Sequence, residues 1–297
     1  MMNLKKVIIA ALAMLFIVKA KGQIAPPAAI FFHNQYLNNS SFAGLNKGLN
    51  IDLGYRQQWS NIPGSPKTQF LTLDYALKGN AGIGLSLYNE KSGLFKQTKL
   101  MGTFAYHVPL DGMSQKLSFG AALGFQDEMV DYNQLDGDPT DMTVNNFNQR
   151  DQYIDGNFGV LYSTNKLQLQ ASIPNLGHLW RKGAQTSQEV DQSRFYVAAS
   201  YKIVLPKLWE ASFEPKIAFR EIKGYKNIMD IGARLNFVED KVGVTAIYHT
   251  TESASFGLNA SLNQNFSLLC VYTSNTAALS GQTNGSFEVN LKMNLFK

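Results

Sequence analysis

Cysteine is almost missing from this chain: Cys270 is the only one in 297 residues, so no internal disulfide can form. It falls on the apolar side of an alternating pattern, which reads as an inert buried thiol rather than a nucleophile. Histidine is nearly as scarce. His33, His107, His178 and His249 stand far apart, none at metal-ligand spacing from another, and no local motif gathers a nucleophile, a base and an acid. The sequence thus supplies no catalytic, cofactor-binding or metal-binding residues, and the expected protein is not an enzyme. Beyond residue 22 there is no apolar run of about eighteen residues, which excludes a membrane protein built of helices. Gly82-Ile83-Gly84 is too short for a phosphate loop and lies inside a strand pattern.

What is present begins with an address. Met1 to Lys6 carry two lysines and no acid, Val7 to Val18 are apolar, and small residues follow before Gln23. This order reads as a secretory signal peptide over 1–22, with an apolar stretch too short to span a bilayer. The formal charge of +5 includes Lys5, Lys6, Lys19 and Lys21; without those four lysines it is +1. The apparent basicity therefore belongs to targeting and gives no reason to expect nucleic acid as a partner.

The rest of the chain alternates with a period of two. Leu49, Ile51, Leu53 and Tyr55 interleave with Asn50, Asp52, Gly54 and Arg56, giving one apolar and one polar face. About fourteen such segments follow one another between residues 49 and 296. A soluble β-sandwich also alternates, so the connections decide between the two. Tight turns such as Lys78 to Asn80, Ser163 to Lys166 and Asn263 to Asn265 exchange with longer links. The longer ones include Ser60 to Lys67, Asn89 to Gln97, Asp127 to Gln152 and Pro174 to Ser193. Short periplasmic turns and long external loops on opposite rims, with an even strand number, predict a transmembrane antiparallel β-barrel of the outer membrane with a polar lumen. Closure follows from lipid offering no partner to backbone N–H and C=O groups.

Several positions carry particular expectations. Asp52, Asp74, Glu214, Arg220, Asp230, Arg234, Glu288 and Lys292 fall on the polar, lumen-facing side, where they either pair across neighbouring strands or select ions. Arg56 is expected to pair with a lumen acid such as Asp52 or Asp74. Inward glycines, among them Gly82, Gly84, Gly120 and Gly124, leave room for something to approach the wall. Pro215 removes one ladder donor inside a strand and predicts an irregularity there. Asp136 to Asp141 resembles a calcium turn but lacks the terminal bidentate acid, so it reads as a solvated external turn. Residues 23–47 have no clean strand pattern yet keep Phe31, Phe32, Tyr36 and Phe42. They read as a periplasmic lead-in or as a plug segment docked in the lumen, ahead of a barrel over 48–297.

Tyr55-Arg56-Gln57-Gln58-Trp59, followed by Ile62-Pro63-Gly64-Ser65-Pro66-Lys67-Thr68, resembles the first-hairpin signature of the PorP/SprF family. Gln35-Tyr36, Phe42-Ala43-Gly44, Gly82-Ile83-Gly84-Leu85-Ser86, Ile173-Pro174-Asn175-Leu176 and Phe287-Glu288-Val289-Asn290-Leu291 match further landmarks. The chain departs from the family at Ser40-Ser41, where an Asn-Pro is usual. The resemblance implies an outer-membrane component of the type IX secretion system. Such a protein helps export or anchor large surface proteins, including adhesins, through their C-terminal sorting domains. It also contacts periplasmic machinery, in some systems a peptidoglycan-binding lipoprotein. Trp59 suits a membrane-interface girdle, Gly64 and Pro66 shape the first outer turn, and a fixed turn is sufficient reason for Tyr55, Gln58 and Thr68. A passive, porin-like outer-membrane channel is the rival expectation.

Overall fold

The computed structural model describes residues 32–111, 114–131, 146–148, 152–179, 193–205, 211–222, 226–275 and 283–296. The expected signal peptide, the acidic turn at 136–141 and much of the two longest outer connections lie outside them.

Alternating residues make the strands, and the strands close on themselves. In chain order they are β1 Leu49–Gln58, β2 Lys67–Ala76, β3 Ala81–Ser92, β4 Phe95–Asp111, β5 Gln115–Val130, β6 Tyr153–Ser163 and β7 Leu167–Ile173. Then come β8, which runs Ser193–Tyr201 and resumes at Ile203–Leu205, β9 Ala211–Ile222 and β10 Ile228–Phe237. The last are β11 Val242–His249, β12 Ser253–Ser261, β13 Phe266–Thr273 and β14 Ser286–Leu295. Every strand pairs antiparallel with its neighbours in sequence, and β1 pairs with β14 from Leu49↔Leu295 to Gln58↔Ser286. The result is a closed barrel of 14 strands without a free edge. Among the described residues no helix is long and apolar enough to cross a membrane.

The faces are inverted relative to a water-soluble protein. Leu53, Phe104, Leu123 and Leu258 expose 49, 55, 63 and 66 % of their surface outward, whereas Asp52, Arg56, Arg220 and Asp230 inside are exposed by 6 % or less. Apolar side chains on the outside suit lipid, and charges inside need one another. Cys270 belongs to the outer set: it is exposed beside Tyr272, so the expectation of a buried thiol is corrected. Its apolar face is the lipid face, not a core.

Two local features also differ from the sequence reading. The link expected over Asn89 to Gln97 is mostly strand, because β3 and β4 stay paired from Ala81↔Tyr106 through Asn89↔Thr98 up to Ser92↔Phe95. Polar pairs hold this extension together above the apolar belt: Asn89 Nδ2 donates to Thr98 Oγ1 at 2.8 Å, and Lys91 meets Asp131 at 2.8 Å. Pro215 does produce an irregularity, but it is an interruption and not a bulge. Lys216 pairs with Ser200 and Phe213 with Ile203, so the register is unchanged across the gap at Lys202. The missing proline N–H ends the ladder locally without inserting a residue.

Candidate functional site

The lumen is where the polar chemistry collects, and residues 32–44 run through it. Asn39 caps a single turn of 3-10 helix, Ser40–Phe42, by accepting the Ser41 N–H at 3.0 Å. The same side chain donates to Gln170 Oε1 on β7 at 3.4 Å. Asn157 on β6 accepts the Ser40 N–H (3.2 Å) and hydroxyl (2.9 Å) and donates to the Asn38 carbonyl at 3.1 Å. Asn34 donates to Thr72 on β2 and Tyr36 to Thr103 on β4, each at 2.9 Å. Near the segment's exit the Gly44 N–H reaches Asp74 at 2.8 Å, and His107 Nε2 donates to the Ala43 carbonyl at 3.1 Å. A chain inside a lumen has no water to spare for its backbone, so the wall supplies the partners.

The wall is thinned to let the segment in. A Cβ at Gly82 would lie 2.7 Å from the Ala43 carbonyl carbon and 2.8 Å from Gly44 Cα, and one at Gly84 2.7 Å from Tyr36 Cζ. Gly120 and Gly159 are likewise pressed by Ser40 and Asn39. Gly124 serves otherwise, since its close neighbours are β4 atoms of Leu100 and Met101. Phe32 enters an apolar niche with Tyr196, Ala198, Ala218 and Ile247, and the Lys216 ammonium sits 4.6 Å from its ring centre.

The lumen charges are mostly matched across strands. Asp52 stands opposite Lys292, Arg56 opposite Glu288 and Glu214 opposite Arg234. The expected pairing of Arg56 with Asp52 or Asp74 is therefore corrected: Asp74 is spent on Gly44 and on Asn50 Nδ2, at 3.0 Å. Arg220 grips Asp230 through Nε (3.0 Å) and Nη2 (3.1 Å). From Asp230 a chain of hydrogen bonds continues to His249 Nδ1 (2.6 Å), from His249 Nε2 to Ser255 Oγ (2.7 Å) and on to Thr273 Oγ1 (2.7 Å). The acid, imidazole and hydroxyl follow the order of a nucleophile relay. Ser255 is 1 % exposed, however, and shares its hydroxyl with Thr273. The contacts staple five successive strands, β9 to β13. On the opposite wall Lys99 bonds Asp155 at 2.5 Å and Asn175 Oδ1 at 2.8 Å, and Asp155 accepts the Gly177 N–H at 2.7 Å. That ties the turn after Ile173 into the lumen.

The signature hairpin makes a fixed rim. Trp59 (φ 48°) and Gly64 (φ 72°) both adopt left-handed backbone, which is uncommon for a tryptophan. Gln58 N–H donates to the Pro66 carbonyl (3.0 Å), Trp59 N–H to Gly285 (2.7 Å), and Gly93 N–H to Gly64 (2.8 Å). The turn is thereby fastened to the neighbouring connections on both sides. Tyr55 faces outward, while Gln58 and Thr68 are buried on the inner face. At the opposite rim, burial alone would raise the Asp240 carboxyl. Hydrogen bonds from Lys202 Nζ (2.7 Å) and Ser212 Oγ (2.6 Å) hold it below the ordinary value instead. Asp155 and Asn157 carry no signal in the sequence, and the spacing of His107 and His249 does not reveal the partners that Ser118, Ala43, Asp230 and Ser255 provide.

The sequence matches the family described as type IX secretion system membrane protein PorP/SprF over residues 20–293. No match was found among curated proteins. Among solved structures the chain is similar to Omp33, an outer membrane protein of Acinetobacter baumannii. That likeness has a TM-score of 0.50 at 7 % identity over 85 % of this chain and 100 % of that one. It is also similar to the Ralstonia pickettii toluene transporter TbuX, with a TM-score of 0.53 at 10 % identity over 94 % and 96 % of the two chains. At these identities the likeness establishes the fold alone, that of an outer-membrane barrel.

Proposed function

The chain belongs to the PorP/SprF family of type IX secretion system membrane proteins, and from that premise we propose that it is a plugged, non-enzymatic outer-membrane scaffold. It holds a large exported surface protein, such as an adhesin, by that protein's C-terminal sorting domain. The observation that carries this reading over a passive channel is the occupied lumen. Residues 34–44 hydrogen-bond to β2, β4, β5's neighbour β6 and β7, where an open pore would hold water. The outer connections within 127–152 and 174–193 offer the cargo surface, because loops on a rigid barrel are the usual place for recognition. The short turns face periplasmic components of the machinery, among them a peptidoglycan-binding lipoprotein. Affinity purification from native outer membranes tests the proposal. Recovery of a large sorting-domain protein supports it. A bare barrel that carries large, steady currents in a planar bilayer refutes it in favour of the channel.

A further inference from the structure

Where the docked segment enters the lumen, three hydrogen-bond donors lack an acceptor among the described residues. Arg234 Nη2 is a donor only and lies 2.7 Å from His33 Nδ1, so that nitrogen accepts and the ring proton sits on Nε2. His33 Nε2 is buried and has no partner. Arg234 Nε is also buried without one, although Glu214 is its cross-strand neighbour. Lys216, on the adjacent strand and 6 % exposed, has a buried Nζ with no hydrogen-bond acceptor. The Phe32 ring covers one side of that ammonium and accepts no ordinary hydrogen bond in place of an oxygen. One member comes from the segment and two from the wall. Every unsatisfied atom among them is a donor and two belong to cations, so the complementary ligand is an acceptor with negative charge.

We propose that His33 Nε2 and Lys216 Nζ hold a small inorganic anion, with Arg234 fixing the His33 ring through Nδ1, and that this anion latches the entering end of the docked segment to β9 and β10. The inference rests on the segment's position in the lumen and not on the secretion role. An anion there gives the bare His33 and Lys216 donors charge-assisted hydrogen bonds. It also bridges segment and wall, so the segment holds less firmly without it.

The test is thermal unfolding of the purified full chain in detergent, with inorganic phosphate titrated against gluconate at constant ionic strength. A saturable rise of about 5 °C is expected for the native chain. The same rise is expected for Lys202→Met, which removes a cation at the rim. It should vanish in Lys216→Met and in His33→Phe, and the latter decides the matter if the lysine variant does not fold. No saturable rise in the native chain, or an equal rise in all the variants, overturns the site. The first result means water fills it, and the second means salt acts generally. Cargo recovery is unaffected by either result, so the two proposals fail separately.

Discussion

Adding one methyl group to the wall at Gly82 should undock the lumen segment while leaving the barrel closed. In Gly82→Ala the new carbon would fall 2.7 Å from the Ala43 carbonyl carbon and 2.8 Å from Gly44 Cα, against ordinary contacts of 3.4–4 Å. The Ala43–Gly44 peptide must therefore retreat by about 1 Å, a shift of overpacking that costs about 1–3 kcal/mol. That retreat stretches two hydrogen bonds, His107 Nε2 to Ala43 at 3.1 Å and Gly44 N–H to Asp74 at 2.8 Å. The second involves a carboxylate and is the stronger. The combined loss is about 3 kcal/mol, or roughly a hundredfold in the ratio of docked to undocked segment. Strand pairing between β2, β3 and β4 involves none of these groups, so heat-modifiable gel mobility should stay that of a folded barrel. Planar-bilayer recording should show open events roughly a hundredfold more often than in the native chain, and protease should reach residues 32–44 sooner. Gly102→Ala is the control, since its nearest neighbour would be Leu123 O at 4.0 Å. Unchanged open frequency together with unchanged protection refutes the reasoning. So does opening that appears only when the whole barrel unfolds.

Arg220→Met strands Asp230 with His249 alone and should destabilise the barrel by about 3 kcal/mol. The double variant Arg220→Met/Asp230→Leu should recover part of that loss, as a double-mutant cycle of unfolding in micelles would register. Asp240 is held below its ordinary value, so its contribution is complete above about pH 4 and fades as the pH falls below 3.8. Melting temperatures recorded from pH 6 to pH 3 should therefore fall less steeply in Asp240→Asn than in the native chain, and equal slopes would remove the inference. Replacing the connections within 127–152 and 174–193 by short turns should abolish display of the cargo at the cell surface. Undiminished display would move the cargo site elsewhere on the molecule.

Legibility divided along a physical line. The fourteen strands were readable because lipid outside and polar groups inside impose the same alternation on every segment, from Leu49–Gln58 to Ser286–Leu295. Boundaries went astray where that contrast fades. From Asn89 to Ser92 four polar residues stand in a row and Gly93 follows, so the extension of β3 and β4 reads as a loop in the sequence. Pro215 announced its irregularity, but only the pairing shows that the register survives it. The lumen segment showed its aromatics and the inward glycines hinted at close approach, yet its partners lie far off in sequence. Asn34 to Thr72 spans 38 positions and Gln170 to Gln35 spans 135. Arg56 is hard to read for the same reason: Asp52 is near in sequence, but Glu288 is the acid opposite it across the closing strands.

The segment inside the lumen leads straight through Gly48 into β1, the strand on which the end of the chain must finally close. Leu49 can meet Leu295 only after all the strands between them have been laid down. The entropy of such a closure grows slowly with length, but nothing local guides it. The segment grips β2, β4, β6 and β7 from within, and docking ahead of the seam would make it an inner mandrel that sets the curvature of the growing wall. A chain shortened by residues 32–44 should then refold into micelles with its β1–β14 seam lagging behind the other pairings. Cross-linking of cysteines placed at Leu53 and Leu291 would time that step, and an unaltered rate would leave the seam to find itself.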